Sequence, residues 1–304
     1  MKNILLEGLY IMAGLVSLVT AYMAFTDKKH PTRLGTSLFW GLLSVIFIVG
    51  KYIPAVIVGI ILLFMGLLTA FKQVKFGSQV NSDEKFREEK SKLIGNKIFI
   101  PALSIAVVAF GIAQFTELEG LVGLGFGAIT ATIIALGMTK ANPKYVGYDG
   151  SRLLQQVGSA SILPQLLAAL GALFNAAGVG QIISEGISGV ISEGNVLAGV
   201  VAYCLGMAIF TMIMGNAFAA FTVITAGIGI PFVYSQGANP AIAGSLALTA
   251  GYCGTLMTPM AANFNIVPAA ILETKNKNRV IISQIPFAII LLLTHIALMY
   301  ILAF

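Results

Sequence analysis

Apolar runs of about 20 residues recur along this chain, and its charges fall almost entirely in the short stretches between them. About 20 apolar residues are what a helix needs to cross the hydrocarbon core of a bilayer. The pattern places spans near residues 4–25, 35–50, 53–71, 98–116, 121–139, 160–183 and 280–303, with a paired segment at 196–233 and a long one at 241–271. Only 10% of the 304 residues are charged and 58% are hydrophobic. A soluble domain carries about a quarter charged residues to build its solvated surface, so the sequence specifies an all-α polytopic membrane protein. About eight helices are expected to cross, with 196–233 as a re-entrant hairpin, or about ten if the hairpin crosses fully. The net charge of +6 then needs no nucleic-acid partner.

The basic residues cluster in alternate loops. Lys28, Lys29 and Arg33 share one; Lys72, Lys75, Lys85, Arg87, Lys90, Lys92 and Lys97 another; Lys140, Lys144 and Arg152 a third; Lys275, Lys277 and Arg279 a fourth. The loops between them hold Glu117 and Glu119, Glu185 and Glu193, and the single exception Lys51. Basic loops stay on the cytoplasmic side, which puts both termini outside. The first 25 residues lack a small-residue cleavage site before the next charged loop and read as a first span. Residues 72–97 mix both signs and read as a solvated amphipathic helix. Five ordinary spans lie before residue 150 and form a scaffold region, 1–150; the polar-rich spans follow in a transport-like region, 151–304. Cys204 and Cys253, the only cysteines, sit in apolar runs and read as buried free thiols.

Two segments are not ordinary spans. In 196–233 the only strong central punctuation is Gly215-Asn216, flanked by Met214 and Ala217. This suggests two short helices meeting inside the membrane, a geometry tolerated where protein or a watery cavity surrounds the tip; the alternative is a tight hairpin packed through small residues. Asn216 at the tip is placed to cap the second arm, and such a helix start can hold an anion. The second segment, 241–271, would make a helix of about 46 Å, too long for a core of about 30 Å unless steeply tilted. Its stretch GYCGTLMTPMAANFNIVP (251–268) offers a better solution. Pro259 cannot donate to the Thr255 carbonyl, nor Pro268 to that of Phe264. Thr258-Pro259 is a favourable helix start. One helix is therefore expected to end near Gly254-Thr255 and another to begin after Thr258. Asn263 and Asn265 lie two apart and point to different faces, lining the gap or bracing it.

A broken helix beside a re-entrant tip is the recurrent site architecture of secondary transporters: helix starts face anionic groups and freed carbonyls coordinate a cation. No central span carries Asp or Glu, and His295 reads as packed or interfacial, so sodium coupling fits better than a proton relay. Thr255 and Asn216 are the candidate cation ligands. HExxH, P-loop and GxSxG motifs are absent, and no catalytic residue, resident metal or cofactor is expected. The Gly-x-Gly runs at Gly178–Gly180 and Gly227–Gly229 read as close-packing or cap glycines. A non-transporting membrane partner stays open as an alternative; it would carry a continuous helix through 251–268.

TSLFWGLL (37–44), GNKIFIPAL (95–103), LPQLLAALGALFNAAGVGQI (163–182), AYCLGMAIFTMIMGNAFAAFTVITAGIGIP (202–231) and GYCGTLMTPMAANFNIVPAAILE (251–273) strongly resemble a bacterial membrane family known as domain of unknown function 979 (DUF979). That family is grouped with the ion transporter superfamily, which implies likeness to elevator-type permeases for organic anions in the bacterial cytoplasmic membrane. Those fold as two inverted repeats, each with a hairpin and a broken helix. By position, the resemblance puts Gly215 and Asn216 at the hairpin tip and Gly254, Thr255 and Thr258 in the broken-helix loop, followed by Asn263 and Asn265. Only one hairpin and one broken helix are visible here. The family's usual neighbour, a smaller membrane protein of domain of unknown function 969 (DUF969), looks like the missing repeat and implies a hetero-oligomer. Family context alone makes 5-oxoproline, a small monocarboxylate, the implied substrate.

Overall fold

The computed structural model describes residues 2–188 and 194–304, and among them the fold is all-helical. Among the described residues, eight helical runs are long and apolar enough to cross a membrane: Asn3–Thr26, Arg33–Tyr52, Glu84–Phe115, Gly120–Thr139, Lys144–Ala176, Val196–Met214, Ala217–Gln236 and Arg279–Leu302. The protein is thus of multi-pass membrane type. Each arm of the expected hairpin is itself among these runs. Glu193, assigned above to a loop, lies outside the described residues. The chain divides into two compact units, Met1–Gly158 and Ser159–Phe304.

The first unit contains α1 (Lys2–Thr26), α2 (Arg33–Val49), α3 (Ala55–Ala70), α4 (Glu84–Ile94), α5 (Ile100–Phe115), α6 (Gly120–Thr139) and α7 (Lys144–Val157). α1 packs along α2, and Gly14 lets the Ile48 side chain lie against its backbone. Phe39 and Trp40 of α2 are both buried and meet edge to face, with centroids 5.4 Å apart. α5 and α6 close in the same manner: a Cβ on Gly127 would stand 2.9 Å from the Ile105 carbonyl oxygen, and one on Gly123 3.0 Å from that of Ala109. Glycines four apart on one face permit this backbone approach, so the Gly-rich run at 120–138 is a continuous helix. α4 is the amphipathic helix expected within 72–97, and none of its residues is buried. Lys51, the one basic residue against the orientation pattern, is countered by Glu7, 3.2 Å away.

Residues 144–157 form α7 instead of the expected loop. Its sequence KYVGYDGSRLLQQV is too polar to read as a span, but Ser151, Arg152 and Gln155 are buried: Ser151 and Gln155 bond to Gln79, distant in sequence, and Arg152 pairs with Asp149 on its own helix. The extended stretch after α3 straps these elements together. Ser78 donates from both its amide and its hydroxyl to Asp27, each at 2.7 Å. Lys75 N–H donates to Thr36 Oγ1 at 3.1 Å, Val80 N–H to the Tyr148 hydroxyl at 3.2 Å, and Gln155 Nε2 to Gln79 Oε1 at 3.0 Å. Gly77 has no room for a side chain, since a Cβ would meet Asp27, His30 and Gln155 within 3.0 Å.

Burial pushes the Asp27 carboxyl up, but the Ser78 and Lys29 hydrogen bonds outweigh it and hold the group below its ordinary value of 3.8. A carboxylate depressed in the folded state stabilises at pH above its ordinary value and loses that contribution as pH falls through the folded value. The protection of the Ser78 amide, its exchange rate relative to the intrinsic rate at the same pH, is therefore expected to be high at neutral pH and to fall below the carboxylate range. Asp27→Ala should lower that protection at neutral pH by about tenfold, the worth of one hydrogen bond to a charged group.

The second unit contains α8 (Leu163–Ala176), α9 (Val179–Ser188), α10 (Val196–Met214), α11 (Ala217–Ile224), a π-helical turn at Thr225–Gly229, α12 (Ile230–Phe232), α13 (Pro240–Leu256), α14 (Ala262–Ile271) and α15 (Arg279–Leu302). The expected span 160–183 is not continuous. It breaks at Ala177-Gly178, where Gly178 takes φ +71, a left-handed conformation suited to glycine. α9 then packs on the π turn: a Cβ on Gly180 would stand 2.9 Å from the Val223 carbonyl oxygen, and Gly227 lies directly against the Gly180 backbone. The Gly-x-Gly runs are thus turn and close-packing glycines. α10, α13 and α15 form the core, with Cys204, Met207, Cys253 and Met299 buried among alanines; both thiols are free. His295 Nδ1 lies 2.7 Å from the carbonyl of Leu291 on its own helix.

Candidate functional site

α10 ends where the sequence puts the tip. Gly215 adopts φ +65 and its N–H closes the last turn on the Thr211 carbonyl at 2.7 Å. Asn216 follows in extended conformation and caps α11, its Oδ1 accepting from the amides of Phe218 at 2.9 Å and Ala219 at 3.4 Å. An asparagine before an apolar helix satisfies amides that the helix itself leaves open.

The long segment is broken as expected. α13 ends at Leu256 and α14 starts at Ala262. Thr258 is not the cap of the second helix, however. The residue preceding α14 is Ala261, and no side chain caps it. The Thr258 hydroxyl instead donates to the Met212 carbonyl in the last turn of α10 at 2.8 Å and accepts from the Met260 amide at 3.2 Å. Tip and break are therefore stitched together. Gly215 presses on the carbonyl of Met260, where a Cβ would collide, and Gly254 lies as closely on the carbonyl of Ala208.

The two asparagines divide the work. Asn265 is fully buried, and its Nδ2 donates to the carbonyls of Thr255 at 2.7 Å and Thr258 at 2.6 Å. The carbonyl that Pro259 frees at Thr255 is thus held by a side chain ten residues on. The Thr255 hydroxyl donates to Tyr252 O at 2.6 Å. Asn263 faces outward and is exposed at the uncapped start of α14. Asn216 is half-buried. Around these amides stand Phe218, Tyr252 and Phe264, with ring centroids 6.2 Å and 6.4 Å apart. Residues 196–272 carry no charged side chain, so the polarity of this face comes from amides, hydroxyls and helix ends.

Two oxygens here are left over, and one of their residues, Thr211, escapes a reading of the sequence. Thr211 and Asn265 are completely buried, yet Thr211 Oγ1 and Asn265 Oδ1 have no hydrogen-bond partner. Thr211 stands one residue before the carbonyl that accepts from Thr258, a lone hydroxyl in AIFTMIM whose only signal is that isolation. By contrast, Asn216 Oδ1 and the Thr255 hydroxyl and carbonyl already carry the bonds just described.

No curated protein matches this sequence, and no solved structure matches it either. A family model described as "Protein of unknown function (DUF979)" matches residues 7–304, essentially the whole chain. The family resemblance carried by the hairpin and broken-helix motifs is thereby established: the chain belongs to the DUF979 family.

Proposed function

We propose that this chain is a subunit of a secondary transporter for a small organic anion, with the site between the hairpin tip and the helix break. The observation that carries this is the joining of two interrupted helices by Thr258 and Asn265 within a charge-free run, beside the outward-facing Asn263. A hydrocarbon environment cannot satisfy such amides and helix ends, so protein or a watery path must face them. The uncapped α14 start, with its partial positive charge, receives the carboxylate, and Asn216 bounds the site from the tip. In this reading the hairpin is re-entrant and the unit is one repeat of an elevator-like carrier in the bacterial cytoplasmic membrane, both termini outside. A DUF969-type subunit supplies the facing repeat. Sodium is the coupling ion; the unpartnered oxygens of Asn265 and Thr211 suit it better than the engaged groups of Thr255 and Asn216. A non-transporting membrane partner fits less well, because its continuous helix through 251–268 is interrupted.

The test is uptake of labelled 5-oxoproline by cells carrying both subunits. Asn216→Ala, Thr258→Val and Asn263→Ala should each lower uptake about tenfold, the worth of one hydrogen bond to a charged group or of holding the tip in place. Undiminished uptake in all three overturns the site.

A further inference from the structure

The first unit holds a cavity of about 470 Å³ between the start of α4, the C-terminal half of α6 and the start of α7. This is within the range of small-molecule sites, roughly 300–1,000 Å³. Its walls are mostly apolar, built from one face of α6 with Leu136, from Val146 on α7, and from the rings of Phe86 and Tyr145. Two carboxylates, Asp83 and Asp149, also line it, and no Lys, Arg or His does. That is contrary to the bias of a chain with 18 basic and 12 acidic residues.

The polar groups of the wall are rich in acceptors. Asp83 occupies the cap position of α4 but makes no side-chain bond to its amides. Asp149 pairs with Arg152 Nε at 3.4 Å. The Thr132 and Thr139 hydroxyls donate to their own helix at Ala128 O, 2.8 Å, and Ala135 O, 2.7 Å. Their protons are thus committed; Thr139 Oγ1 also accepts from the Ala141 amide at 3.4 Å, and each oxygen keeps a lone pair free. An ammonium is the complementary group, with three donors and no acceptor, and aromatic rings favour a cation near their faces. Lys90 already uses one face of Phe86, at 5.5 Å.

We propose that this cavity binds an amphipathic ammonium compound, its apolar body against Leu136 and Val146 and its amine at Asp83 and Asp149. The same chemistry occurs in a free lipophilic amine and in an ethanolamine phospholipid.

In phosphatidylcholine nanodiscs, the full-length protein should bind 2-phenylethylamine saturably by equilibrium dialysis, and the isosteric 2-phenylethanol at least about tenfold more weakly. Asp83→Asn should lower amine affinity about tenfold, and Ala135→Phe, which fills the cavity, should abolish binding. Both variants must keep the wild-type thermal transition without ligand; should Ala135→Phe lose it, Leu136→Ala, which enlarges the cavity, replaces it and should shift affinity. A second arm purifies the protein from mixed ethanolamine and choline lipids and measures the retained lipid by mass spectrometry. Ethanolamine lipid enriched in the wild type and lost in Asp83→Asn identifies the lipid as the source. Amine binding without that enrichment identifies the free amine. Equal affinity for amine and alcohol, or amine binding indifferent to Asp83→Asn, overturns the proposal.

Discussion

Asn265→Leu is expected to destabilise the second unit by about 2–4 kcal/mol, because it leaves two buried carbonyls without donors at about 1–3 kcal/mol each. The side chain is completely buried and its Nδ2 serves both Thr255 O and Thr258 O. Leucine keeps the branched shape but donates nothing and is bulkier, so the cost combines the lost hydrogen bonds with some overpacking. Asn265→Asp should be worse: an ionised carboxylate would face the same two carbonyl oxygens, and burying it unpaired costs more than losing a neutral donor. Thermal unfolding in nanodiscs gives the order wild type, Leu, Asp. If Leu melts with the wild type, the break does not depend on Asn265.

Gly215→Val should cost about 3–4 kcal/mol, combining two penalties. The residue sits at φ +65, and a Cβ would strike the carbonyl of Met260 and lie 2.8 Å from Leu167 Cδ1. Backbone cannot yield as a flexible side chain does, so the tip must part from the break. Gly237 provides the control. It adopts φ +99 with open space where a Cβ would stand, so Gly237→Ala carries conformational strain alone, about 1–2 kcal/mol. Comparable losses in the two variants would show that the tip does not bear on the break.

What could be read from the sequence follows the range of the forces involved. The Gly215-Asn216 tip was legible because capping is settled within three residues: Asn216 Oδ1 reaches only Phe218 and Ala219. The break after Leu256 was legible because Pro259 removes a donor whatever surrounds it. The start of the second helix was not, since Thr258 is drawn away by an acceptor 46 residues earlier, Met212 O. Nor was the holding of the Thr255 carbonyl by Asn265, which requires the chain to have turned back on itself. α7 was hidden for the same reason. Gln155 and Ser151 look like loop residues until Gln79, more than 70 positions away, is placed beside them. The interruption at Gly178 had only the Gly178–Gly180 pair to announce it, and such glycines can equally be absorbed by a packed helix, as Gly123 and Gly127 are.

The central claim is that a watery path reaches the break and tip within the charge-free run. Cysteine labelling in native membranes tests it directly, since Cys204 and Cys253 are buried and leave little background. A charged, membrane-impermeant methanethiosulfonate reagent should modify Asn263→Cys readily. It should not modify Ile290→Cys, a comparably outward position on α15 that is 62% exposed in the protein alone and faces lipid in the membrane. Labelling of residue 263 that is faster by about tenfold or more, and slowed by the transported anion, is the predicted result. Labelling of residue 263 no faster than of residue 290 would place the break in lipid and contradict the account.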